Sequence, residues 1–175
     1  MTILMLHLKQ QVSRLDDFFI YDRSARQERE LTVGEEIVFM SDDNSYDARV
    51  RAIQAYNQPI VDDFRAWLEQ AGLSEKTVKN HVENIDFFTH YLVYSDPLKK
   101  LDEADGGDVW MFLSDWFPRK ALWASVSSVK SYLASFKKFF QWMGEKGHVS
   151  PAIVDDVQAT LKEGREDFLE SVAEY

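Results

Sequence analysis

The 175-residue sequence has no cysteine, four prolines and seven glycines. Without cysteine, disulfides, thiolate nucleophiles and thiolate metal sites are excluded, and a reducing, cytoplasmic setting is expected. No apolar run approaches the roughly 20 residues that cross a bilayer, so no membrane partner is expected. The opening MTILMLHLKQ lacks a basic n-region and a small-residue cleavage site and does not read as a signal peptide. Repeats and low-complexity runs are absent. Bases are in the minority, 20 against 30 acids, for a net charge of -10. At first sight that sign argues against a nucleic-acid partner.

The excess is unevenly spread. Residues 1–56 carry ten acids against seven bases, 57–152 thirteen against eleven, and 153–175 seven against two. The middle is close to neutral, so its charges can be sorted onto faces. What the sequence has in quantity is apolar surface: 45% hydrophobic residues, twelve Phe and five Trp. That excludes a disordered chain, and at this length roughly 70% of the unfolded surface can be buried.

The middle reads as four successive helices. The first begins near Asn57 and Pro59, with Ile60, Phe64, Trp67 and Leu68 at helical spacing and Gly72 closing it. The second follows Ser74 as N-cap, with Val78, Val82, Ile85, Phe88 and Leu92 inward and Pro97 beyond its end. The acid-rich loop LDEADGGD leads to a third, where Val109, Phe112, Leu113 and Trp116 face inward and Pro118 stops it. The fourth carries Val126, Val129, Leu133, Phe136, Phe140 and Met143 in unbroken 3-4 spacing, with Gly144 and Gly147 at its end. Trp67, Trp116, Phe136 and Phe140 fall on inward stripes, whereas Trp110 and Trp142 sit off the stripe centres, at the partly exposed edge. No stretch between 57 and 150 alternates like a strand, and the expectation is an all-α bundle.

The flanks are read more coarsely. Residues 9–20 fit a helix, 31–40 fit a short strand or hairpin around Gly34, and Arg49 to Tyr56 is compatible with a helix. After Ser150–Pro151, the residues Ile153, Val157, Leu161, Phe168 and Val172 mark one apolar face of an acidic tail helix, weakened at Gly164 by about 1 kcal/mol relative to alanine. The expected organisation is an N-terminal extension over 1–56, a helical domain over 57–152 and a tail over 153–175.

Catalytic and metal patterns find little support. Asp102, Glu103, Asp105 and Asp108 do not match a calcium loop, and capping of the third helix is the simpler account. Asp86 and His90 stand four apart, yet one pair is not a metal site and a surface ion pair explains it. No serine, histidine and carboxylate set resembles a triad, and Gly106–Gly107 is too short to cradle a phosphate. No cofactor, metal or small-molecule substrate is expected.

The outward faces are more informative. Lys76, Thr77, Lys79 and Asn80 cluster at the start of the second helix. On the fourth, Lys130, Lys137 and Gln141 form one row, and Ser127, Ser131, Ser135 and Lys138 the next, with Arg119 and Lys120 just ahead. Bases mixed with short hydroxyls suit phosphate contact, because lysine neutralises charge and serine allows close approach. A solvated lysine face, or a small-residue row packed on another helix, would look the same in sequence.

DFRAWLEQAGLSEKTVKNHVENIDFFTHYL resembles the opening of the core-binding, SAM-like domain of tyrosine recombinases and phage integrases, with Gly72, Leu73, Ser74 and Thr77 in its "G-L-S-x-x-T" turn. LDEADGGDVWMFLSDW is similar to the approach to that family's third helix through Asp108, Val109, Phe112 and Leu113. SVSSVKSYLASFKKFFQWMGEKGHVSPA is similar to its fourth helix and exit through Phe139, Phe140, Gly147 and Pro151. The likeness covers about 57–152. It implies a four-helix orthogonal bundle that grips double-stranded DNA through its second and fourth helices in site-specific recombination or DNA integration.

On that likeness Thr77, Lys79 and Asn80 match the turn and second helix, and Ser127, Ser128, Lys130, Ser131 and Lys137 match the fourth-helix face. Lys76, Arg119, Lys120 and Lys138 extend the same candidate DNA surface. Ser131 and Tyr132 stand where the family is often basic, and Glu83 dilutes the second helix, which implies modest affinity. After Ala152 only 23 residues remain, without histidine and with Arg165 as the one arginine. The family's catalytic set has no counterpart there, Tyr175 has no nucleophilic context, and a non-enzymatic module is expected. A second expectation is an interaction module whose acidic tail docks on a partner, a recombinase subunit or a second copy. A third is that the tail covers the basic face and competes with DNA.

Overall fold

The computed structural model describes residues 42–173; the segments 9–20 and 31–40 lie outside the described residues. The fold is all-α, with no strand among the described residues. The first helix, α1, spans Asp42–Gln70 with Pro59 inside it. The sequence places a helix start at Asn57–Pro59, and the helix instead runs through that point. Pro59 sits on an exposed face, so the carbonyl of Ala55, four residues back, loses its N–H partner where water replaces it. Asn57 is buried, and its Oδ1 accepts from the Leu101 N–H at 3.0 Å.

Helix α2 spans Glu75–Leu92 and starts at Ser74, whose Oγ accepts from the Thr77 N–H at 3.3 Å. A 3-10 turn at Leu101–Glu103 leads to α3, Gly106–Met111. Asp105 and Asp108 cap it reciprocally: the Asp108 N–H donates to Asp105 Oδ1 at 3.1 Å, and the Asp105 N–H to Asp108 Oδ2 at 3.0 Å. Lys99 Nζ adds bonds of 2.9 and 2.7 Å to the Asp108 carboxylate. The acidic loop is therefore a helix cap with its own cation.

Pro118 does not end this helix. The chain passes from α3 into a π turn, Phe112–Trp116, and on into α4, Phe117–Lys120. The Phe117 N–H bonds five residues back, to the Phe112 carbonyl, and the wider turn accommodates a proline ring that a regular α-helix would reject.

Helix α5 spans Val126–Glu145 and starts at Ser125. Gly144 lies inside it rather than at its end, where a Cβ would stand 2.5 Å from Val154. Gly72 and Gly147, with φ of 77° and 75°, take the left-handed turns that follow α1 and α5.

Helix α6, Pro151–Glu163, packs across α3 and α5, and α7, Arg165–Glu170, follows it. Val157, Leu161, Phe168 and Val172 are buried. The Gly106 N–H donates to Asp156 Oδ2 at 2.7 Å, and Gln158 Nε2 donates to the Lys137 carbonyl at 3.2 Å. The apolar side of the tail is thus part of the core, which removes it as a docking surface for a partner.

Aromatic rings join the helices. Phe64 of α1 lies 5.1 Å from Phe139 and 5.3 Å from Trp142, and Phe88 of α2 lies 4.8 Å from Phe136. Phe112 meets Tyr132 at 5.2 Å and Phe136 at 5.7 Å. Each fully buried ring contributes about 1.5–3 kcal/mol by area. Four placements differ from the helical stripes. Trp142 is fully buried because α1 closes over it, while Trp67, Trp116 and Val126 reach the surface. Among the described residues no helix is long and apolar enough to cross a membrane.

Candidate functional site

Helices α2 and α5 lie side by side along a polar seam. Asn80 Nδ2 donates to Ser131 Oγ at 2.7 Å, and Asn84 Nδ2 donates to Ser131 Oγ at 2.8 Å and to Ser135 Oγ at 2.9 Å. His81 Nδ1 stands 2.8 Å from Ser135 Oγ. Ser135 gives its only hydroxyl proton to the Ser131 carbonyl at 3.0 Å, so His81 must be the donor in that pair. The spacing explains the match. Asn80 and Asn84 are four apart on α2, Ser131 and Ser135 are four apart on α5, and each pair lies on one face. His81 and Asn84 were not among the candidates read from sequence; the paired i, i+4 polar spacing was the signal for Asn84, and His81 carried none.

Charge is distributed along the seam. Burial lowers the His81 pKa, and the nearby Lys138 lowers it further. Burial raises the Tyr132 pKa, with Asp86 and Glu83 adding to the shift, so those carboxylates lie within reach of the N-terminal half of α5. Pairings across the seam run antiparallel, with Phe87 and Trp123 5.1 Å apart at one end and His81 and Ser135 toward the other. Lys138 therefore belongs with the start of α2, and Asp86 with the start of α5.

The individual candidates separate into two groups. Thr77 and Ser128 are cap residues: the Thr77 hydroxyl meets Ser74 Oγ at 2.8 Å, and Ser128 Oγ accepts from the Ser125 N–H at 2.9 Å. Lys79 pairs with Glu83 at 3.6 Å, and Arg119 pairs with Asp115. Ser131 belongs to the seam, as the small-residue reading of that row anticipates, and Ser127 touches Ser125 Oγ at 3.1 Å. Lys76, Lys130 and Lys137 are exposed and Lys120 and Lys138 half-buried, and none of the five is in an ion pair among the described residues. Arg119 and Lys120 sit one loop ahead of α5, beside the exposed Leu122 and Trp123.

No group of carboxylates and histidines suited to a metal ion occurs among the described residues. Asp102 accepts the Tyr56 hydroxyl at 2.5 Å, and Glu103 pairs with Lys100 at 3.6 Å. His90 and Asp86 form the surface pair, 4.0 Å apart, that their spacing suggests. Among the described residues the arrangement offers exposed ammonium groups and hydrogen-bonding side chains.

Comparison with known proteins bears on the same helices. The family model for the phage integrase N-terminal SAM-like domain matches residues 60–147, from the second half of α1 to the turn after α5. Tyrosine recombinase XerD of Listeria innocua is 32% identical over 92 residues, covering 52% of this chain and 30% of that protein. The match thus takes in less than a third of the curated relative. No solved structure gives a significant match.

Proposed function

Because the chain belongs to the family of phage integrase N-terminal SAM-like domains, we propose that it is a non-catalytic module gripping duplex DNA through the outward face of α2 and α5. The observation that supports this reading is the Asn–Ser seam, which packs the two helices that carry Lys76, Lys130, Lys137 and Lys138 against each other although they lie some fifty residues apart in sequence. Lys76, Lys130, Lys137 and Lys138 neutralise phosphates. Asn80 and the Ser127 hydroxyl approach the backbone or base edges closely, and Ser131 acts through the Asn80 amide that it holds. Caps hold Thr77 and Ser128, so their part is to fix the helix starts. Glu83 and Asp86 on the same side keep the affinity modest.

The test is anisotropy of a labelled mixed-sequence duplex, titrated with salt. Wild type is expected to lose affinity with a log–log slope near -0.9 per neutralised phosphate, about -3.6 for one phosphate at each of the four lysines. Lys130→Ala and Lys137→Ala should each reduce the slope by about 0.9. No binding at low salt would reject the reading.

A second reading, contact with a recombinase subunit or a second copy, draws on one observation. Leu122 and Trp123 are 87% and 52% exposed in the loop ahead of α5, although one side of the Trp123 ring rests on Phe87. Substituting both with serine would weaken self-association or subunit contact while leaving the lysine face in place.

A further inference from the structure

Asn80 is held in an orientation that suits it to read a base, and this deepens the duplex-DNA reading on which it rests. An asparagine amide has two N–H donors and one oxygen. One N–H of Asn80 is committed to Ser131 Oγ at 2.7 Å. Its second N–H and its Oδ1 have no partner among the described residues, and the side chain is exposed. Ser131 is itself fixed, because Asn84 donates to its Oγ at 2.8 Å and Ser135 donates to its carbonyl at 3.0 Å. Asn84 is tied in turn to Ser135 at 2.9 Å, and Ser135 to the buried His81 at 2.8 Å. The amide plane of Asn80 is therefore set by a hydrogen-bonded chain that ends in the core.

An oxygen and an N–H presented side by side complement adenine in the major groove, where N6–H donates and N7 accepts. We infer that Asn80 selects an adenine in the bound duplex and that Ser131 is its positioning residue. Lys76 stands one turn earlier on α2, and Lys138 lies near His81, so phosphate-neutralising groups border the amide. A side chain ordered before binding loses less freedom on contact, which favours readout over a loose polar touch. Glu83, the next outward residue on α2, is engaged by Lys79 at 3.6 Å and does not compete for the base.

The test is selection from a pool of duplexes randomised through their central positions, retained at low salt and sequenced. Wild type is expected to enrich adenine at one position. Asn80→Ala should lose that enrichment in whatever duplex its lysines retain. Ser131→Ala should reduce it although Asn80 is still present, an effect that a freely moving Asn80 would not show. Denaturation midpoints of both variants establish that they fold. Replacing the selected adenine by 7-deazaadenine, which lacks the N7 acceptor, should weaken wild type by about tenfold and Asn80→Ala by much less. Retained duplex with no adenine preference, or a preference that survives in Asn80→Ala, overturns this inference alone. Failure to retain any duplex overturns the DNA reading and the inference together.

Discussion

Asn80 Nδ2 donates to Ser131 Oγ at 2.7 Å across 51 positions of sequence. This bond lies at the exposed end of a seam whose inner members, Asn84, Ser135 and His81, are buried. A polar seam between two amphipathic helices gives up apolar burial. In return it fixes how one helix is registered against the other, because each donor must meet its acceptor.

Ser135 is where the seam matters most for stability. Its hydroxyl accepts from Asn84 and His81 and donates to the Ser131 carbonyl. Ser135→Ala keeps the volume roughly constant but strands two buried donors, and about 2 kcal/mol of stability should be lost. Ser131→Ala, at a half-exposed site where water can substitute, should lose less than half of that. Urea denaturation of the two variants makes the comparison.

His81 gives the fold a mild acid sensitivity. Burial, with Lys138 adding, holds its pKa below the ordinary value, so the unfolded chain takes up this proton at a higher pH than the fold does. Stability from this group is complete above the ordinary imidazole pKa of about 6.5 and falls as pH drops through it toward the lower folded-state value. His81→Gln should flatten the loss of stability between about pH 7 and pH 5, the range set by that shift. Denaturation midpoints at the two pH values, compared between variant and wild type, separate His81 from the carboxylates.

Glu83 works against the proposed DNA role. It stands on the outward side of α2, within 3.6 Å of Lys79. Glu83→Gln removes a charge that repels phosphate and frees Lys79, so duplex affinity at low salt should rise by about twofold or more. Stability should hardly change, as the pair is exposed. Anisotropy and a melting curve check the two halves of this prediction.

The tail is a structural part of the fold rather than an appendage. Phe168 is fully buried against Trp110, with ring centroids 5.0 Å apart, and Gly164 is so close to both rings that a Cβ would stand 2.4 Å from Phe168. Phe168→Ala should cost about 3–5 kcal/mol. Gly164→Ala should destabilise despite the better helix propensity of alanine. Removing 153–175 should give an unstable protein, measured by thermal melting, rather than a stronger DNA binder.

The helical stripes were legible because Phe88, Phe112, Phe136 and Phe140 recur at a spacing that only a helix buries. Ser74, Asp105, Ser125 and Ser150 were equally readable, each a short acceptor ahead of an apolar period. What escaped depends on contacts between distant segments. Pro59 and Pro118 look like boundaries locally. The exposure of one and the π turn beside the other decide otherwise, and neither is written in nearby residues. Trp142 looked peripheral because one helix alone does not reveal that α1 covers it. On the candidate surface, the basic positions were visible as residue types, but the partners of Lys79, Arg119 and Ser131 had to be seen in three dimensions.

The central claim is that the α2–α5 face meets duplex DNA, and the most direct measurement is backbone amide shift mapping of the labelled protein as a short duplex is added. The account predicts that the largest changes fall on residues 76–80 and 127–138, with Asn80 and Ser131 among them. Changes confined to α6 and α7, or to the loop carrying Leu122 and Trp123, would contradict it.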